Sequence, residues 1–167
     1  MADSTLGANA TQTDTVAQFR LGEEIADPRA ADFPMNRLRY VKAGSAISAG
    51  NALVVSLADA DEPNTLVPCS AVNQVCVAIA HSAIASGSFG WVTFKGRLTN
   101  VVNTGTLAAG NKLTTTATAG ALGALAEADS NVTSTKLNAA IAMAAGIGVM
   151  ALDSNDSNAA VMEVLIS

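Results

Sequence analysis

The sequence predicts an all-β protein: a small β-barrel or sandwich with an extended N-terminal arm and at most one short helix. A short unit, Ala-Gly-Asn between apolar residues, occurs at 47–53 and again at 107–113. Gly and Asn tolerate the positive φ angles of tight turns, so each copy predicts a turn that leads into a strand. Short apolar runs with a period of two lie between such turns. Half of the 167 residues are hydrophobic but only 4% are aromatic, which indicates a core of small and branched side chains suited to a pleated sheet.

The first 37 residues predict an arm, extended or disordered when free, that precedes a barrel domain over 38–167. Residues 1–16 are mostly small and polar, and burial within the chain cannot offset their ordering entropy. After them come apolar side chains without a helix or strand period, and four of the five arginines lie at or before residue 39. Apolar anchors with arginine are typical of interface hot spots. We therefore expect contact with a neighbouring subunit or partner through Phe19, Arg20, Leu21, Phe33, Met35, Arg37, Arg39 and Tyr40.

From residue 38 onward the pattern is that of successive strands. They are predicted at residues 38–42, 52–57, 75–81 and 91–98. In the third of these, Val75, Val77 and Ile79 share one face, and smaller side chains share the other. Gly96 lies inside the fourth strand, which predicts a bulge or a sharp bend there.

The last third of the chain predicts a short strand, an excursion and a closing hairpin. The strand is Thr-rich, at 112–116, and the excursion over 117–138 is rich in Ala, Gly, Thr and Asn. Residues 133–145 are Ala-rich and permit the one short helix. Apolar runs at 147–152 and 161–166, separated by a polar turn, predict the hairpin.

No residue pattern predicts catalysis, metal binding or cofactor binding, so we expect a protein that is not an enzyme. His81 is the only histidine, and no serine lies in a Gly-x-Ser-x-Gly motif, so a structural role for His81 at a strand end is expected. The carboxylates in 59–62 lack the spacing and glycine of a calcium loop. Cys69 and Cys76 are expected as buried, reduced thiols, since a disulfide requires the chain to turn back between them. Trp91 fits either a core residue or an interface anchor.

Charge and hydropathy bear on the partners of the chain. The net charge is −5 and the basic residues form no cluster, which argues against nucleic-acid binding. No signal peptide is visible, and the most apolar stretch, 139–152, is too short to cross a bilayer. Only 14% of the residues are charged, which indicates a surface that stays in contact with other proteins or with copies of itself.

Five stretches, in their order along the chain, resemble one family of virus proteins. They are residues 39–54, 77–80, 85–92 followed by Gly96, 109–113 and 146–152. Together they are similar to the small β-barrel decoration, or cement, proteins of tailed bacteriophage capsids. The first 37 residues and the excursion depart from that pattern, so no contact residue is carried over from the family.

The resemblance implies a structural virion protein with no substrate and no cofactor. Such a protein is made in the cytoplasm of the infected bacterium, binds the major capsid protein on the outside of the head, often as a homotrimer, and stabilises the head against the pressure of packaged DNA. Two alternatives stay open. One is a phage tail or fibre-associated β-module, although a fibre would show more repeats. The other is a small ligand-binding β-barrel, for which six aromatic residues offer little to line a pocket.

Overall fold

The secondary structure of the chain is entirely β in the part that the computed structural model describes, namely residues 11–26, 36–58, 62, 64–72, 74–107, 113–125, 149–151 and 161–166. This confirms the all-β prediction, while the helix considered at 133–145 lies outside the described residues. The strands are β1 (Thr13–Asp14), β2 (Glu24–Ala26), β3 (Arg37–Ala43), β4 (Ala52–Val55), β5 (Thr65–Pro68), β6 (Ala78–Ala80), β7 (Phe89–Val102), β8 (Leu113–Thr115), β9 (Leu122–Ala124), β10 (Val149–Ala151) and β11 (Val161–Ile166).

Five strands close into a barrel in the order β3, β5, β4, β6, β7 and back to β3. The pairing of β3 with β5 is parallel, and the other four pairings are antiparallel. The ring closes where β7 returns to β3, with Tyr40 opposite Trp91. Closure gives every strand of the ring two partners, which removes the open edges that a sandwich would leave.

The barrel interior is filled by small and branched side chains that alternate along the strands. They are Val41, Ala43, Ile47, Leu53, Leu66, Ala78, Ala80, Ile84 and Val92, each 4% exposed or less. Val55, Val77 and Phe94 pack on this cluster at one end and are partly buried. The interior is therefore a packed core.

A second apolar layer lies outside the barrel, between β4, β5 and β6 and the hairpin of β8 and β9. Its buried members are Ala52, Val54, Cys69, Cys76, Ile79, Leu98, Val101, Leu107 and Leu122. Backbone hydrogen bonds hold the two parts together: Gly120 N donates to Cys69 O, and Ala52 N donates to Gly120 O, both at 2.8 Å. The first part of the predicted excursion is thus a hairpin on the barrel, and residues 126–138 lie outside the described residues.

A third apolar layer covers the opposite outer face, where β3 meets β7. Ile25, Leu38, Tyr40 and Trp91 are buried there, and Phe19, Leu21 and Phe89 pack against them. Short strands of the N-terminal part hold this layer: β1 pairs with the start of β7, and β2 pairs with β3.

Two predicted glycine features are present. In the first copy of the repeated unit, Gly50 has a φ of 80°, and the side chain of Asn51 accepts a hydrogen bond from Ser48 N at 2.8 Å. The turn of the second copy lies outside the described residues. Gly96 has a φ of 126°, and the register of β3 with β7 shifts just before it. The bulge or sharp bend predicted at Gly96 is thus present to within two residues, because the residue left without a cross-strand partner is Phe94.

The strand predicted at 75–81 is shorter than expected. Only Ala78–Ala80 forms β6, and Val75 is exposed. Val77 packs on the interior cluster while Ile79 belongs to the outer layer, so the predicted common face was wrong. The reason is that Val77 lies outside β6, where the period of two that the prediction assumed no longer holds.

Strand β5 was not predicted because Pro63 shortly precedes it and Pro68 is its last residue, and proline weakens a strand pattern. The predicted closing hairpin is confirmed: β10 and β11 pair in antiparallel fashion, and β11 continues the sheet along β7.

Candidate interaction surfaces

The N-terminal segment, defined here as residues 11–26, lies on the chain's own barrel. The ring of Phe19 meets those of Tyr40 and Trp91 edge-on, with centroids 5.2 Å and 5.1 Å apart. Leu21 packs on the same aromatic cluster. Two of the apolar side chains assigned to a partner contact are therefore held by the barrel itself in this structure.

Tyr40 holds the N-terminal segment on the barrel through two hydrogen bonds. Its hydroxyl donates to Asp14 Oδ2 at 2.8 Å and accepts a hydrogen bond from Gln18 N at 3.3 Å. The side chain has no exposed surface, and burial raises the pKa of its phenol to about 12. Tyr40 was predicted as an interface residue, and in this structure it is buried within its own chain.

The remaining predicted interface residues are distributed unevenly. Arg20 and Arg37 are exposed, and Arg39 is half-buried. Phe33 and Met35 lie outside the described residues. The division into an arm of residues 1–37 and a barrel of residues 38–167 stays a prediction. Strand β3 begins at Arg37, the last residue of the predicted arm.

Trp91, which the sequence allowed as either a core residue or an interface anchor, is a core residue. It is fully buried, and its ring lies 5.1 Å from that of Tyr40. Its indole therefore contributes to the fold and is not available to a partner.

One end of the barrel exposes apolar side chains. We call it the barrel mouth, defined by Arg39, Val55, Leu57, Val75, Val77 and Phe94. Leu57 lies two residues beyond Val55 at the end of β4, and Val75 lies two residues before Val77 at the approach to β6. Leu57 is 92% exposed and Val75 is 52% exposed. The interior cluster thus continues outward into an apolar rim in contact with solvent.

Cations stand beside this rim. The Arg39 guanidinium lies 2.6 Å from Glu24 Oε1 and 4.4 Å from the centre of the Phe94 ring. Arg37 and Lys95 are direct partners across β3 and β7, and both are exposed. Like charges placed directly opposite each other destabilise a strand pair, so this arrangement is not explained by the stability of the sheet.

Two depressions of the described surface differ in volume and in the residues that line them. At the barrel mouth the cavity measures about 60 Å³, far below the roughly 300–1,000 Å³ of small-molecule sites. A larger open groove of about 580 Å³ runs beside β2, lined by charged and polar groups that include Arg20, Glu23 and Asn64. Among the described residues that line it, Leu21 is the one large apolar side chain, whereas small-molecule sites are lined mostly by apolar and aromatic side chains.

The cysteines are buried thiols. Burial raises the pKa of Cys76 to about 12 and also raises the pKa of Cys69, so both are poor nucleophiles. Within the described ranges, no three His, Cys, Asp or Glu side chains are grouped so that they could hold a metal ion. No helix in the same ranges has the length and apolar character to cross a membrane.

The fold has a counterpart among solved structures. Over 78% of this chain and 92% of the other, the protein superimposes with a TM-score of 0.51 on the N base of the head fibre protein gp8.5 of bacteriophage phi29. The two chains share a fold. Their sequences are 17% identical, which is too low to carry over individual residues. No family model matches the sequence, and no curated protein matches it.

The barrel mouth was missed by the sequence reasoning. Leu57 was included in a predicted strand and Val75 was assigned to a strand face, so neither was considered exposed. The available signal was the polar stretch that begins at residue 59. An apolar residue just before such a loop follows the end of its strand, so no neighbouring strand necessarily covers its side chain.

Proposed function

We propose that this chain is a structural protein of a phage virion that binds the outer surface of the capsid and stabilises the head against the pressure of packaged DNA. The observation that supports it best is the shared fold with a phage head fibre base, over nearly the whole of that chain. The resemblance of five stretches of the sequence to capsid decoration proteins points the same way.

The proposed partners are the major capsid protein and other copies of this chain, in a homotrimer. A barrel whose interior is packed, with a cavity of only about 60 Å³ at its mouth, suits a mechanical role, because its work is done by its surface. On a repeating lattice, many modest contacts made by linked subunits add up to strong attachment. We place the protein on the outside of the head, after synthesis in the bacterial cytoplasm, and we propose no enzymatic activity.

A fibre-associated module is the second candidate, favoured by one observation. The similar structure is itself described as the base of a head fibre. In that case the chain would be the attachment domain of a longer appendage, and its copies would mark the foot of each fibre.

Binding to capsids tests the proposal. Purified chain is mixed with heads of the parent phage that lack it, and the heads are sedimented and imaged by cryo-electron microscopy. We expect saturable binding at regular positions on the outer surface, and decorated heads that withstand heating or chelator better than bare heads. Binding without a gain in head stability, at sites that carry fibres, would favour the second candidate. Absence of binding would contradict both.

A further inference from the structure

We propose that the barrel mouth is the surface that docks on the capsid, and that its occupant is a segment of the coat protein with an apolar side chain flanked by carboxylates. The proposal rests on the proposed function and adds to it the part of the chain that makes the contact and the chemistry of the partner.

The apolar part of the argument comes from exposure. Four large hydrophobic side chains of the described residues are classed as exposed, and Leu57, at 92%, is the most exposed of them. It lies two residues beyond Val55, which ends β4; Val55, Val77 and Phe94 are only partly buried on the interior cluster. An inserted apolar side chain would extend that cluster and remove both Leu57 and Val75 from water, which is the usual source of affinity at the centre of an interface.

The charged part of the argument comes from Arg37 and Lys95. They face each other across β3 and β7 at the mouth, in a chain whose net charge is −5. In the described part of the chain the ion pair is Arg39 with Glu24, and neither Arg37 nor Lys95 takes part in it. A carboxylate between the two cations would relieve their repulsion, so the pair favours an anionic partner.

The same charges disfavour a second copy of this chain, seated mouth to mouth, as the occupant. In a two-fold contact, each mouth would face the other and place Arg37 and Lys95 against the same cations of the partner copy. Such like-charge contact is a common means of excluding wrong partners. A coat-protein segment with carboxylates carries no such penalty.

Two matched pairs of variants test the proposal in the head-binding assay. Leu57→Asp places a negative charge on the exposed mouth, and Val16→Asp makes the same change at a side chain that is 68% exposed, close to β1 and away from the mouth. Lys95→Glu reverses the charge at the mouth, and Lys42→Glu makes the same change at the other end of β3, where the cross-strand partner is Phe89.

We expect Leu57→Asp and Lys95→Glu each to weaken head binding by about tenfold or more, and the two controls to change it by less than about threefold. Thermal melts should show that Leu57→Asp folds normally. They should also show that Lys95→Glu is at least as stable as the wild type, because it removes a repulsive pair. Loss of binding by a variant whose stability is unchanged or higher separates docking from folding.

The alternative outcomes contradict the docking proposal. Full binding by both mouth variants, or equal losses in mouth variants and controls, would overturn it and leave the proposed function standing. Loss confined to Val16→Asp would assign the contact to the N-terminal segment instead. Dissociation of an oligomer by Leu57→Asp would identify a second copy as the occupant. Failure of the wild type to bind heads would overturn the proposed function and this inference together.

Discussion

The side chain of Asn36 lies against Gly96, close to the bulge in β7. The Asn36 side chain accepts a hydrogen bond from Arg97 N at 2.8 Å and donates to Arg97 O at 2.9 Å. These bonds continue the contact between the two strands beyond Arg37 and Lys95, the last residues that pair in the β3–β7 ladder. They fit only because Gly96 has no side chain, since an added Cβ would lie 2.8 Å from Asn36 Cα.

Gly96→Ala should therefore destabilise the protein severely. An alanine at a φ of 126° is strained, and its methyl group would displace the Asn36 side chain from both hydrogen bonds. We expect a loss of about 3–5 kcal/mol in the free energy of unfolding, measured with denaturant. Gly87→Ala is the matched control, because Gly87 has a φ of 78° but open space around it, and should cost about 1–2 kcal/mol. Similar losses in the two variants would show that the Asn36 contact does not matter.

Tyr40 is expected to make the stability of the folded protein decline at alkaline pH. Burial raises its pKa to about 12 from an ordinary 10, so the unfolded chain loses the phenolic proton first as the pH rises. The stabilisation by neutral Tyr40 is complete below pH 10 and declines as the pH rises from about 10 towards 12. Because the chain has a single tyrosine, the absorbance of the phenolate reports this group alone.

Tyr40→Phe tests this account. We expect the variant to lose about 1–3 kcal/mol at neutral pH, because Asp14 and Gln18 lose their shared partner. The difference in stability between wild type and variant should shrink between pH 10 and 12. A difference that stays constant over that interval would contradict the raised pKa.

Gly96 and Tyr40 show which features of a single residue can be predicted from the sequence. A glycine inside an alternating strand is a local signal, and it predicted the irregularity near Gly96 correctly. Its partner Asn36 lies 61 residues from Arg97, and no local pattern connects them. The hydrogen bonds of Tyr40 with Asp14 and Gln18 likewise join residues that are distant in sequence and meet only in the closed barrel.

At the scale of elements, the N-terminal segment shows the same limit. Its irregular sequence predicted an arm that gains order from a partner, and the described part gains order from β3 and β7. The strands at 38–42, 52–57 and 91–98 were predicted because their alternation is local. The position of the N-terminal segment could not be predicted from the sequence, because its burial depends on Trp91, about seventy positions further along the chain.

Removing the Phe19 ring should loosen this segment. Phe19→Ala deletes edge contacts to Tyr40 and Trp91, and we expect a loss of about 1–3 kcal/mol in unfolding free energy. Trp91 is the only tryptophan, so a red shift of its fluorescence would report that water reaches the ring. Val16→Ala, at an exposed position of the same segment, serves as the control. Unchanged emission in Phe19→Ala would mean that the segment does not shield Trp91.

For the whole molecule, the low charge content predicts self-association. Only 14% of the residues are charged, and apolar side chains are exposed at several places on the described surface. We expect light scattering at micromolar concentration to give the mass of a trimer, three times 16.7 kDa. A monomer in solution that also binds heads singly would contradict the trimer and leave the capsid role intact.

Strand β7 sets the order in which the chain can fold as it leaves the ribosome. It pairs with β1, β3, β6 and β11, so the ring stays open until residues 89–102 have been synthesised. At about 5–20 residues per second, β3 waits for seconds with one edge free after it emerges. The neighbouring pairs β4–β5 and β4–β6 can form early, whereas β3–β7 joins residues about fifty positions apart and forms late. A nascent chain paused before residue 89 would therefore expose unpaired strand edges, which are the usual starting points of aggregation.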